Sequence, residues 1–319
     1  DRGEKVVVVD DFSTGSRDNL KYLGVDDIEI REVDLTNFRQ AKESLADGDT
    51  IYHLAARVGG IPYLHNSEFS ELIALQVNLA IDANVFRACQ ELGIKKIIYP
   101  SSVSVYPLAR QKYPGAVFSE AAFVWPQHES KESMFRMSVD PDGGYGLAKI
   151  LAEIQLSLLK RIKRGIARIF SAYGENEPIG ENSHVLARFI QAAINYPETQ
   201  LVIWGDGTQT RDYVYVTDCA EALVKIADYL DDFREDIPFI VNIGSGKAVS
   251  INELAKKVIA VSKKEITPVY DHQKPIGPVS RTADIMRAKH TLGWEPKVSL
   301  EEGIERTYRW MKNKLKTQN

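Results

Sequence analysis

A run of four valines, Val6-Val-Val-Val9, closes on Asp10-Asp11, and the same theme returns at residues 28–32, 50–54 and 96–100. Short, continuously apolar runs of this kind suit strands covered on both faces, which is the situation of a parallel sheet. Amphipathic stretches separate some of these runs, the clearest over residues 68–92. Strands alternating with helices predict an α/β chain built on a doubly wound parallel sheet. After Gly174 the strands shorten (201–204, 212–216, 239–243) and alternate with helices near 184–196 and 218–230. Ser250-Ile-Asn-Glu253 has the form of a capping box opening a helix to about Val261. Ser299 caps a last helix to about Leu315. The expected division is a larger Rossmann-like unit (1–170 and 212–245) and a smaller C-terminal lobe (171–211 and 246–319). Residues 108–144 form the one long irregular stretch, and a loop that long in a compact domain is usually functional.

The 319 residues carry a net charge of -4, with a pI near 6.0 and no basic block, so there is no electrostatic case for nucleic acid. No run is read as apolar over the ~18 residues a membrane span needs. No charged-then-apolar leader opens the chain. Cys89 and Cys219 fall in helical stretches and are expected to be small core residues rather than a disulfide. Metal-ligand spacing is absent. The expectation is a cytoplasmic protein that binds neither nucleic acid, membrane nor metal.

The chemistry centres on Tyr145-Gly-Leu-Ala-Lys149, with Ser101-Ser102 upstream. Tyrosine and lysine four apart share a helix face. A phenol with a pKa near ~10 is a poor base at neutral pH. An adjacent ammonium favours the phenolate and lowers that value. The phenolate can then take a proton from a sugar hydroxyl while a nicotinamide takes the hydride, and a serine hydroxyl can hold the same oxygen.

Together these pieces resemble the extended short-chain dehydrogenase/reductase family, and within it the nucleotide-sugar epimerases and dehydratases. The resemblance implies that Ser102, Tyr145 and Lys149 are catalytic and that the cofactor is NAD. Asp10, at the end of its strand, can accept from both hydroxyls of the adenosine ribose and would repel a 2′-phosphate, favouring NAD over NADP. It further implies that Asp34-Leu35 reaches the adenine. The small residues of His53-Leu54-Ala55-Ala56 would let the backbone approach the cofactor, which Asn78 would also contact. Trp204-Gly-Asp-Gly-Thr-Gln-Thr-Arg211 is similar to the family's diphosphate clamp. Arg281, before Leu292-Gly-Trp294-Glu-Pro296, fits its second arginine. The planar guanidinium binds phosphate oxygens bidentately. Relatives are often homodimers through two helices, here 68–92 and 145–161.

Three departures bear on the reaction. Dehydratases carry an Asp-Glu pair, and decarboxylases an acid, where this chain has Val103 and Ser104, which argues against both reactions. Ala55-Ala-Arg-Val-Gly-Gly-Ile61 and Asn182-Ser-His184-Val185 resemble segments of GDP-mannose 3,5-epimerases and GDP-fucose synthases. That branch pairs its acid with a cysteine at the Ser104 position, and serine is a far weaker acid or base. His184 is either an acid or a helix-capping residue. Ser171 stands where many relatives carry a substrate-touching asparagine. The expected reaction is epimerisation of a GDP- or UDP-hexose through a transient 4-keto-sugar. A GDP-mannose 3,5-epimerase-like or GDP-fucose-synthase-like enzyme is the alternative. The chain opens on Asp1-Arg-Gly-Glu-Lys5, like the turn before a second strand, so a first strand with its Gly-rich turn is expected to be missing upstream. An inactive fragment, or a non-catalytic nucleotide-sensing relative, therefore also stays open.

Overall fold

The computed structural model describes residues 3–21, 28–64, 67–122, 140–180 and 183–317. Its strands are β1 (Val7–Asp10), β2 (Glu29–Glu32), β3 (Thr50–Tyr52), β4 (Lys96–Ser102), β5 (Val117–Phe118), β6 (Lys163–Ile169), β7 (Ser171–Tyr173), β8 (Val202–Trp204), β9 (Thr210–Arg211), β10 (Tyr213–Tyr215), β11 (Phe239–Ile243), β12 (Val249–Ser250), β13 (Val269–Asp271) and β14 (Thr282–Ala283). Its helices are α1 (Asp18–Lys21), α2 (Phe38–Ser44), α3 (Ile61–Leu64), α4 (Glu68–Leu92), α5 (Gly143–Leu158), α6 (Val185–Ile194), α7 (Val216–Asp232), α8 (Ile251–Ser262), α9 (Met286–Leu292) and α10 (Leu300–Thr317).

The central sheet runs β11-β6-β4-β3, all parallel, in a register that sets Ser102 beside Ile169. Successive side chains of a strand point to opposite faces, and the two faces of β4 are both covered. Ile97 and Tyr99 join Val85 and Phe86 of α4 and Ala152 and Leu156 of α5. Ile98 joins Ala222 and Ile226 of α7. Helices on both faces of a parallel sheet make the doubly wound fold expected from the sequence. β1 and β2 form a separate parallel pair, in which the amide of Val33 donates to the Asp10 carbonyl (3.1 Å).

The lobe has its own core. Leu186, Phe189 and Ile190 of α6 pack with Leu254 and Val258 of α8 and with Ile304, Tyr308 and Met311 of α10. Ser250 opens α8 with both hydrogen bonds of a capping box, and the Ser299 hydroxyl accepts from the Glu302 amide at the start of α10 (3.2 Å). Ala288, Leu292 and Trp294, which sequence order puts with the lobe, pack instead under β11, where the Trp294 indole donates to the Asp218 carbonyl (3.0 Å). Cys89 and Cys219 are buried free thiols, pushed well up by burial.

One reading of the sequence needs correction. Helix α4 does have the length and apolarity of a membrane span. Its Ala74, Asn78, Asp82, Val85 and Phe86 are buried inside the protein, so the apolar character serves packing against α2 and α5. Residues 123–139 of the long irregular stretch lie outside the described residues. The described part holds short helical turns and β5, which pairs with β14 of the return segment.

Candidate active site

Ligands of open α/β sheets bind beyond the carboxyl ends of the strands. Ser102 ends β4 at that edge, and its hydroxyl accepts from the Ser104 amide (3.1 Å), turning the chain into a short 3-10 helix. Helix α5 starts over this turn. Its first residues are held against α4, where the Gly144 amide donates to Glu71 Oε2 (2.7 Å) and a Cβ on Gly144 would lie 2.4 Å from the Glu71 carbonyl oxygen. Only a residue without a side chain allows that approach. The docking sets the half-buried Tyr145 near enough to Ser102 for the serine to act on its phenol, and places Lys149 and Glu153 below it at successive turns of one face.

Lys149 is buried at 4% exposure. Its Nζ donates to the Pro100 carbonyl (2.9 Å) and lies 4.3 Å from the centre of the Tyr99 ring and 5.8 Å from that of Tyr145. Burial lowers its pKa, against Asp82 and Glu153, which raise it. Tyr145 is pushed up to about 12 by burial, with Ser102 pulling the other way and Asp82 adding to the rise. The expected depression of the phenol by Lys149 is therefore not met in this state. Desolvation exceeds what an ammonium this far from the ring provides.

A nicotinamide cofactor can be tested against these residues. Among the described residues Pro100 takes one of the three N–H groups of Lys149, which leaves two donors of a buried ammonium for the hydroxyls of a ribose. Asp10 ends β1 with its carboxylate turned into the following loop. It accepts from the Phe12 amide (2.7 Å), and Gly15 lies close by, where a Cβ would stand 3.6 Å from Oδ2. Asp34 lies two residues past the end of the neighbouring β2 and accepts from the amide (2.8 Å) and hydroxyl (2.7 Å) of Thr36. Leu54 is 62% exposed just past β3, beside the half-buried Ala55 and Ala56. These residues fit the two ribose ends of a dinucleotide. The sequence contains no Gly-x-Gly-x-x-Gly, so no contact to a pyrophosphate is derived.

Two residues expected at the cofactor have their side chains engaged within the protein. Leu35 is a core side chain, packed with Ala41 and Leu45. Asn78 is buried, and both ends of its amide are spent on one loop residue: Oδ1 accepts from the Arg57 amide (2.7 Å) and Nδ2 donates to the Arg57 carbonyl (3.1 Å). Asn78 thus fixes the loop after β3. That loop runs to the lobe, where Gly60 is so close to Ser183 that a Cβ would lie 2.4 Å from its carbonyl oxygen. The two segments that resemble the GDP-sugar branch therefore meet, although Asn182 itself lies outside the described residues. His184 is the N-cap of α6. Its amide and Nδ1 are both held by Glu177 Oε1 (2.9 and 3.0 Å), and its side chain remains 49% exposed. Ser104 is buried, with its carbonyl against Gly146 at the start of α5.

Arg211 and Arg281 follow directly on a bridge between Thr210 and Ser280, which sets them side by side. Arg211 Nη1 donates to the carbonyls of Thr210 and Pro278 (both 2.7 Å). Burial and the neighbouring Arg281 pull its pKa down to about 10. Arg281 bonds Gln111 and forms an ion pair with Asp142, the residue that opens α5. The arginine pair is thereby tied to the helix end that carries Tyr145. Gln111, Asp142 and a buried cluster of His53, Asp82 and Tyr99 under Lys149 were not singled out in the sequence. Asp82 gave one signal, a carboxylate inside an apolar helix and one turn beyond Asn78.

A model of the NAD dependent epimerase/dehydratase family matches residues 1–244. A GDP-L-fucose synthase of Arabidopsis thaliana is 34% identical over 88% of this chain and 82% of its own length. A GDP-mannose 3,5-epimerase of the same plant is 29% identical over 90% of this chain and 71% of its own. A putative UDP-glucose 4-epimerase of Methanocaldococcus jannaschii is 29% identical over 98% and 92%. Among solved structures, an epimerase of Methanothermobacter thermautotrophicus superposes with a TM-score of 0.80 at 26% identity, covering 99% of this chain and 87% of that one. The UDP-glucose 4-epimerase of Thermotoga maritima, solved with UDP-glucose, gives a TM-score of 0.78 at 25% identity, covering 98% and 92%. With its parallel sheet, its Ser-Tyr-Lys group at the sheet edge and a match over more than half its length, the chain belongs to the NAD dependent epimerase/dehydratase family.

Proposed function

We propose that the protein is an NAD-dependent epimerase of a nucleotide-activated hexose, acting at carbon 4. The observation that carries this reading is the grouping of Ser102 and Tyr145 above the buried Lys149 at the sheet edge, tied through Asp142 to a pair of arginines. Asp10 and Lys149 would hold NAD, which would supply a hydride acceptor that returns the same hydride. Tyr145 takes the proton of the 4-hydroxyl while Ser102 holds the oxygen, leaving a ketone at carbon 4. The ring then turns over in the site, and Tyr145 gives its proton back as the opposite face is reduced. Lys149 serves by keeping positive charge near the phenolate that this cycle needs, against the burial that opposes it. Arg211 and Arg281 hold the diphosphate, so the sugar is retained while it turns. Val103 and Ser104 stand where dehydratases carry their carboxylates, which speaks against dehydration.

A second reading rests on the contact of Gly60 with Ser183. In this reading His184 stands beside a loop similar to that of 3,5-epimerases and its Nε2, which has no partner among the described residues, exchanges a proton at carbon 3 or 5 of the 4-keto-sugar. One experiment separates the two. The protein is incubated with NAD and GDP-mannose or UDP-glucose in heavy water and the sugars are followed by proton NMR. An epimer without deuterium supports the 4-epimerase. Deuterium at carbon 3 or 5 supports the second reading. The same family reading carries a homodimer through α4 and α5, in line with the 60% exposure of Leu158 beside a shallow cleft lined by Phe86, Arg87 and Gln155.

A further inference from the structure

Beneath the Ser102–Tyr145–Lys149 group lies a second set of side chains that the reaction does not touch. Asp82, at 2% exposure in the middle of α4, faces the sheet. Its Oδ1 lies 2.9 Å from His53 Nε2, and its Oδ2 accepts from the Tyr99 hydroxyl (3.1 Å). His53 is fixed by its own amide, which donates to the Ile98 carbonyl (2.9 Å), and is boxed by Phe86 and Tyr99 with ring centres 5.7 Å away. Tyr99 is fully buried, and its ring is the surface on which the Lys149 ammonium rests.

The charges near Lys149 can be counted element by element. From α5 come Tyr145 and Glu153. Glu153 is taken up by Arg168 of β6, whose Nε and Nη2 donate to it (3.0 and 2.7 Å), and by the Ser101 hydroxyl (2.6 Å). From β4 come Tyr99 and Ser102, from the end of β3 His53, and from α4 Asp82 and, at its first turn, Glu71, which bonds the Gly144 amide. Glu153 already has a guanidinium. Among the described residues Asp82 has no arginine or lysine in contact, its one basic neighbour being His53, and Lys149 has no carboxylate in contact. The Asp82 carboxylate and the Lys149 ammonium lie on the two sides of one phenol, the carboxylate at its hydroxyl and the ammonium over its ring. A phenol that donates to a carboxylate is richer in electrons, and a richer ring face holds a cation more strongly.

We propose that Asp82 is a positioning residue for Lys149, supplying through Tyr99 the buried counter-charge that keeps the ammonium protonated and in place beside Tyr145. This rests on the reading of Lys149 as part of the active group and extends it to a residue outside contact with any ligand. The direction in which Asp82 acts on Lys149, upward against burial, agrees.

The test is a titration of Lys149 in the whole protein, by NMR of lysine labelled with nitrogen-15 at Nζ, the resonance being identified by its loss in Lys149→Met. Asp82→Asn keeps the shape and both hydrogen-bonding positions and removes the charge. Lys149 is expected to lose its proton about one pH unit lower, a tenfold gain in acidity. Asp82→Glu keeps the charge and is expected to restore a titration close to that of the parent. Equal titrations in all three proteins, or equal displacements in Asp82→Asn and Asp82→Glu, would mean that Asp82 only fills space, and would overturn the proposal. Should Asp82→Asn fail to fold, Tyr99→Phe carries the test. It leaves the ring under Lys149 and cuts its bond to Asp82. A downward movement is again expected, and an unmoved Lys149 overturns the proposal. No sugar enters this measurement, so failure of the epimerase reading and failure of this inference are told apart.

Discussion

Gly144→Ala probes the contact that sets Tyr145 in place. The new Cβ would stand 2.4 Å from the Glu71 carbonyl oxygen, against a comfortable carbon–oxygen separation of about 3.3–3.6 Å, so the starts of α4 and α5 must part by about 1 Å. The atom in the way is backbone, which no rotamer change relieves. Overpacking of this kind costs about 1–3 kcal/mol. The substitution also gains up to about 1 kcal/mol of helix propensity. The net expectation is a loss of roughly 0–3 kcal/mol, small enough for the protein to stay folded. The consequence for activity is larger, because Tyr145 is the next residue and a displacement of about 1 Å at a reacting group costs on the order of 100-fold. Denaturant unfolding gives the first quantity, and epimer formation under saturating substrate the second. A variant with parental stability and parental rate would refute the view that this helix contact positions the phenol.

Other outcomes follow from the same coordinates. Arg211→Met should weaken binding of a nucleoside diphosphate sugar by about 10- to 150-fold, the loss of charge-assisted bonds worth about 1.5–3 kcal/mol, read by calorimetry. Glu153→Gln leaves Arg168 buried without its counter-charge and should destabilise the fold by about 3–5 kcal/mol, measured as a fall in the denaturation midpoint. Tyr106 is buried, donates to Asn242 Oδ1 (2.6 Å), and has its pKa raised from 10.0 to about 12 by burial. A raised value in the fold means a contribution that is intact below pH 10 and is lost as pH climbs through about 12. Tyr106→Phe should therefore flatten the fall in stability over that window.

Much of the fold could be read from the chain because the strands of a buried parallel sheet are apolar throughout and helix starts are written in local chemistry, as at Ser250 and Ser299. The grouping of Ser102, Tyr145 and Lys149 was legible for a related reason: Tyr145 and Lys149 are set by helix spacing and Ser102 by a strand end. At Asn78 and Leu35 the motif position does not reveal which way a side chain is spent. One amide is used up on Arg57, and one leucine turns into the core. The cluster of His53, Asp82 and Tyr99 joins three separate elements, so no spacing along the chain reports it. The pKa of Tyr145 depends on how much water burial removes, which a neighbouring lysine in the sequence does not disclose. The apolarity of α4 misled in the opposite direction, since a helix buried on one face can be as apolar as a membrane span.

The central claim is that Tyr145 moves a proton at carbon 4 while the hydride leaves and returns. It is tested most directly with a sugar nucleotide carrying deuterium at carbon 4, turned over in ordinary water with bound NAD. The account predicts that the epimer keeps its deuterium at carbon 4 and that Tyr145→Phe reduces the rate by at least about 100-fold, the scale of general acid–base assistance. Loss of the label to water, or turnover that Tyr145→Phe leaves unchanged, would contradict it.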